Sequence, residues 1–256
     1  PNPVTTAFEL GCAIELANDE VNFPGPNTIN LASSTTYEFN APYTVGGNTA
    51  LPDITSVITI NGALSVLQPE DDGINARLFF VDSTGVLTLN QMNILDWSID
   101  DEDGGAISSR GVLNINATVL SGNAAEGTGD GGAIHVAAGA LNITNSSLAN
   151  NSFSRFVDNS AVSGGGIYTA RTTNIDHTTF LQGGTEIGGT HILVEASTTT
   201  VRTSTLSGGF TGVSIEVESA GSMQLFNSTV SGNNSGAANI VGQIDVIFST
   251  LAYNGN

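Results

Sequence analysis

The sequence predicts an all-β solenoid, on three observations: a turn-rich, helix-poor composition, glycines that return about every 24 residues, and an alternating strand after each of them. Of 256 residues, 31 are glycine, 39% are hydrophobic and 11% are charged. That apolar share is too high for a disordered segment. Thr, Ser, Asn, Val and Ile dominate over helix formers. A chain of this length can bury a sizeable core, as one domain or as a repeat array.

The interval decides for the array. Segments open at Gly104, Gly131, Gly164, Gly188, Gly212 and Gly236, at steps of 27, 33, 24, 24 and 24 residues. The 33-residue unit carries extra residues around 150–160, which are expected to loop out. Six stretches align without gaps: 112–120, 140–148, 172–180, 198–206, 222–230 and 243–251. Their fourth column is Ile115, Ile143, Ile175, Val201, Leu225 and Val246, and their ninth is Leu120, Leu148, Phe180, Leu206, Val230 and Leu251. Alternation of period two marks strands with one buried face.

Between those columns lies a hydroxyl at every level: Thr118, Ser146, Thr178, Ser204, Ser228 and Ser249. After the strand comes a turn column of Asn123, Asn151, Asn233 and Asn254, with Gly183 and Gly209 in the middle coils. Asn and Gly share a tolerance for left-handed backbone, so this column is expected to make the bend between sheets. The spacing and the missing helical half exclude leucine-rich repeats. One coil cannot bury its own inner face, but stacked coils bury a continuous apolar column. The expected fold is a right-handed parallel β-helix of roughly ten coils of about 24 residues.

The whole chain is expected to form one domain in three parts. Residues 1–26 form an N-terminal cap, 27–103 irregular coils, and 104–256 regular coils. Leu10, Ile14 and Ala17 fall at helical spacing within 8–20, so a short helix should cover the first coil and blunt its open sheet edge. Cys12 lies in this cap, where burial is expected; as the single cysteine it excludes an intrachain disulfide framework. The last coil, 249–256, presents an edge suited to end-to-end stacking on a second copy.

Charge limits the partners. Twenty-four acidic residues stand against five arginines and no lysine, a formal net charge of −19. Nucleic acid and anionic membrane surfaces are therefore disfavoured. No apolar run approaches the ~18 residues of a membrane span, and no charged leader precedes an apolar segment, as in a chain whose signal peptide is already removed.

The stretches beginning Gly104-Gly105-Ala106-Ile107, Gly131-Gly132-Ala133-Ile134 and Gly164-Gly165-Gly166-Ile167 resemble the GGA[ILV] motif of polymorphic outer-membrane protein repeats. Their companion F-x-x-N motif is similar to the segments ending at Asn123, Asn151, Asn233 and Asn254, with an aliphatic residue for the Phe. Leu10, Ala13, Ile14, Ala17 and Asn18, followed by Thr28-Ile29-Asn30-Leu31, resemble the CSLREA-type opening of bacterial secreted β-helix proteins. Gly11 and Cys12 stand where that motif has Arg-Glu, and Phe8 where it has Cys. The resemblance implies a secreted or cell-surface setting and an adhesive or structural role, with surface glycans, proteins or further copies as partners.

The acidic loops are the candidate sites for an ion. Glu70, Asp71 and Asp72, and Asp100, Asp101, Glu102 and Asp103, supply carboxylates at the density a calcium ion needs, although neither cluster matches an EF-hand. A solvated acidic turn is the simpler explanation of both. Asp176 and Arg202 fall one coil apart in one outward column and are expected to form an ion pair worth ~0–1 kcal/mol. His135, His177 and His191 fall in different columns and suggest neither a metal triad nor a nucleophile–base pair. A polysaccharide lyase or glycoside hydrolase would need an Arg and carboxylates converging in one groove. A carbohydrate-binding module would need Tyr37, Tyr43, Trp97 or Tyr168 exposed. Six Asn-x-Ser/Thr sequons, at Asn116, Asn142, Asn145, Asn150, Asn227 and Asn233, fit chance in so Asn-rich a chain. Thr198-Thr199-Thr200 would suit an ice-binding face only if repeated, and the neighbouring aligned coils do not repeat it.

Overall fold

A computed structural model describes residues 2–44, 47–71, 74–149, 152–153, 164–183, 190–209 and 212–255. Asn151 and Asp72, and most of the insertion at 150–160, lie outside the described residues.

The chain winds as a parallel β-helix with three main faces. The regular part of the first face stacks Val112–Asn116, Ala140–Thr144, Thr173–Asp176, Thr198–Arg202, Ser222–Phe226 and Gln243–Ile247. The second face stacks Val119–Ser121, Ser147–Ala149, Thr179–Leu181, Thr205–Ser207, Thr229–Ser231 and Thr250–Ala252. Earlier in the chain Val57–Pro69 and Val86–Leu95 run round the corner between these faces without a break, so the two share one sheet. The third face holds Phe79–Val81, Ile107–Ser109, Ile134–Val136, Ile167–Thr169, Ile192–Val194, Ile215–Val217 and Ala238–Ile240.

The third face makes about seven turns, fewer than the roughly ten expected. The N-terminal residues build a cap rather than a coil. The early first-face strands start at Val57, Val86, Val112 and Ala140, so those turns take 29, 26 and 28 residues. Both apolar columns stand in register. Ile115 pairs with Ile143, then Ile175, Val201, Leu225 and Val246; Leu120 pairs with Leu148, then Phe180, Leu206, Val230 and Leu251. All are buried except Val246 and Leu251 of the last coil. Each buried aliphatic side chain contributes about 1.5–3 kcal/mol.

The hydroxyl column is the hinge of the six aligned coils. Its residues follow Ala117, Asn145, His177, Thr203, Asn227 and Phe248, all left-handed with φ between 46 and 51°. At this corner the strand ladder is interrupted and buried N–H groups need other acceptors. The hydroxyl of the next coil supplies one: Thr118 N donates to Ser146 Oγ, Thr178 N to Ser204 Oγ, Ser204 N to Ser228 Oγ and Ser228 N to Ser249 Oγ, at 3.0–3.2 Å. Each of these hydroxyls in turn donates to the carbonyl two residues upstream, as Ser204 Oγ does to Arg202 O at 2.6 Å. Ser204→Ala would leave Thr178 N–H buried without this acceptor, so a loss of about 1–3 kcal/mol is expected. Ser204→Thr, the residue already used at Thr118 and Thr178, should lose little. Thermal denaturation of the two variants checks the difference.

The Asn column does not make the bend. The left-handed residue lies one position earlier, at Gly122, Gln182, Gly208, Gly232 and Tyr253. The Asn side chains instead turn inward: Asn123 and Asn233 are buried. Asn123 Nδ2 donates to Ile94 O and its Oδ1 accepts from Trp97 N. Asn233 Oδ1 accepts from Gly209 N at 2.9 Å, and Asn233 Nδ2 donates to Asn254 Oδ1 at 2.7 Å. An amide satisfies a donor and an acceptor at once, which Gly183 and Gly209 cannot do.

The cap is a helix, Ala7–Asn18, with Leu10, Gly11, Ile14 and Ala17 buried. Thr6 Oγ1 accepts from Glu9 N at the start of the helix, and Glu9 Oε2 accepts from Thr5 N. At the other end Asn18 Nδ2 donates to Asp53 O, and Ser56 Oγ donates to Ala17 O. Cys12 is half-buried rather than buried, because it sits on the flank of the helix and not on its inner stripe.

Candidate functional site

The third-face strands are three residues long, and their middle side chains point away from the core. Phe80, Ser108, His135 and Tyr168 occupy this outward position in register, while their neighbours Ile107, Ile134, Val136 and Ile167 are buried inside. Beside the column, longer loops of the early coils bring in charge. A pocket of about 340 Å³ results, lined among others by Asp53, Arg77, Glu102, Asp103, Arg110 and His135.

Arg77 is fixed before its side chain acts. Its N–H donates to Asn48 O and its carbonyl accepts from Ala50 N. The side chain is almost wholly buried; Nε donates to Asp103 O at 3.1 Å, and Nη2 to Glu102 Oε2 at 3.2 Å. Burial pulls the guanidinium pKa down, and Glu102 and Asp103 oppose that pull; the group stays a cation. Arg110, by contrast, is exposed, with its guanidinium carbon 5.3 Å from the centre of the Phe80 ring and without an ion pair among the described residues.

His135 is 8% exposed and stacks on Tyr168, ring centres 4.8 Å apart. Its Nε2 lies 3.5 Å from Asp103 Oδ2, and its Nδ1 is buried without a hydrogen-bond partner. Burial lowers its pKa, with Asp103 opposing, so the ring is neutral at neutral pH. Burial also raises the Tyr168 phenol, helped by a hydrogen bond to Glu195. Asp53 is raised by desolvation first and by Asp82 second, with Arg77 working against both. Hydrogen-bond donors and carboxylate acceptors thus share one hollow, as recognition of a polar, hydroxyl-rich ligand requires.

The candidate calcium ligands do not form one centre. Glu102 and Asp103 face the pocket but serve Arg77, His135 and, through Asp103 Oδ1, the Asp130 N–H. Asp100 holds Asn75 through paired hydrogen bonds, and Asp101 Oδ1 accepts from Thr128 N. Glu70 has its N–H on Phe39 O. Asp71 lines a separate hollow of about 350 Å³ with Asp96 and Glu126. Among the described residues no three His, Cys, Asp or Glu side chains come together as a metal site.

Other expectations are corrected. Asp176 and Arg202 are strand partners, but they form no ion pair; left-handed backbone at His177 brings its Nδ1 to 3.0 Å from Asp176 Oδ1 instead. Tyr37 and Trp97 are core residues, not sugar platforms. Tyr37 donates to Val4 O, and Trp97 Nε1 to Leu67 O. Tyr43 is part-exposed, with its phenol on Glu15, which pushes its pKa up to about 12. It lines a groove of about 520 Å³ beside the cap helix, with Phe8 and Cys12.

Asp53, Arg77 and Arg110 carry no signal in the sequence because they belong to different coils and lie outside the aligned stretches, and the same separation leaves His135 without a visible partner. One signal was present: the residue after each Gly-Gly-x-Ile is outward by register, and it reads Ser108, His135 and Tyr168.

Fold and pocket together define a parallel β-helix with a mixed-charge hollow on one face. No family model matches the sequence, and no curated protein and no solved structure matches it either.

Proposed function

We propose that the chain is an extracellular β-helix scaffold that works by adhesion, with the third-face pocket holding a glycan. The observation that carries the proposal is the convergence of two of the five arginines with Asp53, Glu102, Asp103 and His135 in one hollow of a chain whose net charge is −19. Glu102 and Asp103 are committed to internal partners, which suits a fixed binding surface better than a pair of free catalytic carboxylates. The resemblance to secreted and surface β-helix proteins supports the setting.

The same convergence favours a second function, cleavage of a polysaccharide, with Asp53 as the carboxyl group whose raised pKa suits a proton donor. A glycan array followed by product analysis of every bound glycan separates the two. Binding without cleavage is expected. Arg110→Ala should weaken it at least tenfold with little change in Tm, because this arginine is exposed and makes no ion pair among the described residues. Cleavage that stops in Asp53→Asn would replace adhesion by catalysis, and an array with no bound glycan would reject both.

A further inference from the structure

The outer side of the first face is most regular in the early coils. One outward column reads Thr28, Thr59, Thr88, Asn114 and Asn142, in register from coil to coil. The next reads Asn30, Asn61, Asn90, Asn116 and Thr144, and Val57, Val86, Val112 and Ala140 flank the first. Three consecutive levels therefore repeat Thr-x-Asn. All these side chains are half-exposed or exposed.

Two properties set this face apart. Across the five levels from Asn27–Asn30 to Ala140–Thr144 it carries no charged side chain, although the chain has 24 acidic residues. Its amides are also locked. Asn61 Nδ2 donates to Asn30 Oδ1, Asn90 Nδ2 to Asn61 Oδ1, Asn114 Nδ2 to Thr88 Oγ1 and Asn142 Nδ2 to Asn114 Oδ1, all at 2.8–3.2 Å. Hydroxyls, amides and methyls thus repeat on a grid of about 4.8 Å along the rod and about 6.6 Å across it. The grid is broken further on, where Asp176 and Arg202 enter the second column.

We propose that this face binds the surface of ice. Its uncharged grid matches an uncharged, hydrogen-bonding lattice, and side chains locked by the ladder lose little freedom on contact. First-layer water on such a grid is held at repeating positions, whereas a charge would impose its own hydration shell. An acidic polymer or an ionic mineral would find no charge here. A flat sugar would find no aromatic ring to stack on, since Phe226 is the first ring in these columns and stands three levels beyond Thr144.

The test is growth of single ice crystals in solutions of the full chain, reading crystal shape and the gap between melting and freezing. Faceted crystals and a measurable gap are expected. Thr28→Arg and Thr88→Arg should each remove most of the gap while circular dichroism and Tm stay close to wild type. Arg110→Ala, on the third face, should leave it intact. Unshaped crystals, or a gap that survives both Thr→Arg changes, would overturn the proposal. Retention on an insoluble neutral polysaccharide without ice shaping would overturn it in favour of that polymer.

Discussion

Replacing Trp97 by alanine is expected to cost about 3–5 kcal/mol. Trp97 is the sole tryptophan and is fully buried. Its ring meets Phe39 edge to face at 5.3 Å, and its Nε1 donates to Leu67 O at 3.1 Å. Alanine would open a cavity and strip that carbonyl of its donor. Trp97→Phe keeps much of the volume and loses the N–H, so a smaller cost is expected. Because each coil contacts only its neighbours, the damage should be local. Hydrogen exchange should accelerate first in Val57–Pro69 and Val86–Leu95 and last in Ser222–Phe226. Equal acceleration along the whole rod would show instead that the coils unfold as one unit.

Acidification should destabilise the rod through His191. This imidazole is 2% exposed, with Nδ1 on Ser214 Oγ at 2.9 Å and Nε2 on Ser207 O at 3.2 Å. The second contact needs an N–H on Nε2, and in the neutral ring that leaves Nδ1 to accept from the Ser214 hydroxyl. Burial lowers its pKa from 6.5 to about 4, with the Ser207 carbonyl opposing. The unfolded chain therefore takes up this proton below pH 6.5 while the folded chain refuses it until about pH 4. Stability is fully present above pH 6.5 and falls as pH drops through that window, by about 3 kcal/mol. His191→Leu should be less stable at pH 7, having orphaned Ser214 and Ser207, yet its stability should change less between pH 6.5 and 4. Parallel slopes for the two proteins would sink the assignment.

The residues legible in the sequence were those governed by strict alternation. Ile115 announces its column because the four- and five-residue strands of the first face are long enough to show period two, and Leu120 follows at a fixed offset from it in every aligned stretch. The third face was not legible, since a three-residue strand such as Ile134–Val136 offers one outward side chain and no period. The pocket was hidden for a related reason: Asp53 and His135 lie 82 positions apart, and only the winding brings them to one hollow. The role of the Asn column was misread because the left-handed position before it is filled by Gly122 and Gly208 but also by Gln182 and Tyr253, which disguise it. The grid of Thr59 and Thr88 was hidden because unequal early turns defeat a fixed-period alignment, although Val57–Asn61 and Val86–Asn90 pair residue for residue before the register shifts between Asn61 and Ser65.

The corner hydroxyls have a mechanical consequence. Every bond in the relay from Thr178 to Ser204, Ser228 and Ser249 joins one coil to the next and so lies along the rod, as do the ladder bonds of all three faces. A load pulling on one end strains these bonds a coil at a time, like a zipper, and the rod should yield in small, even steps. A load pressing sideways meets many coils at once and has no single weak link to find. Such a rod is stiff against shear flow, yet it lengthens coil by coil under tension before it lets go.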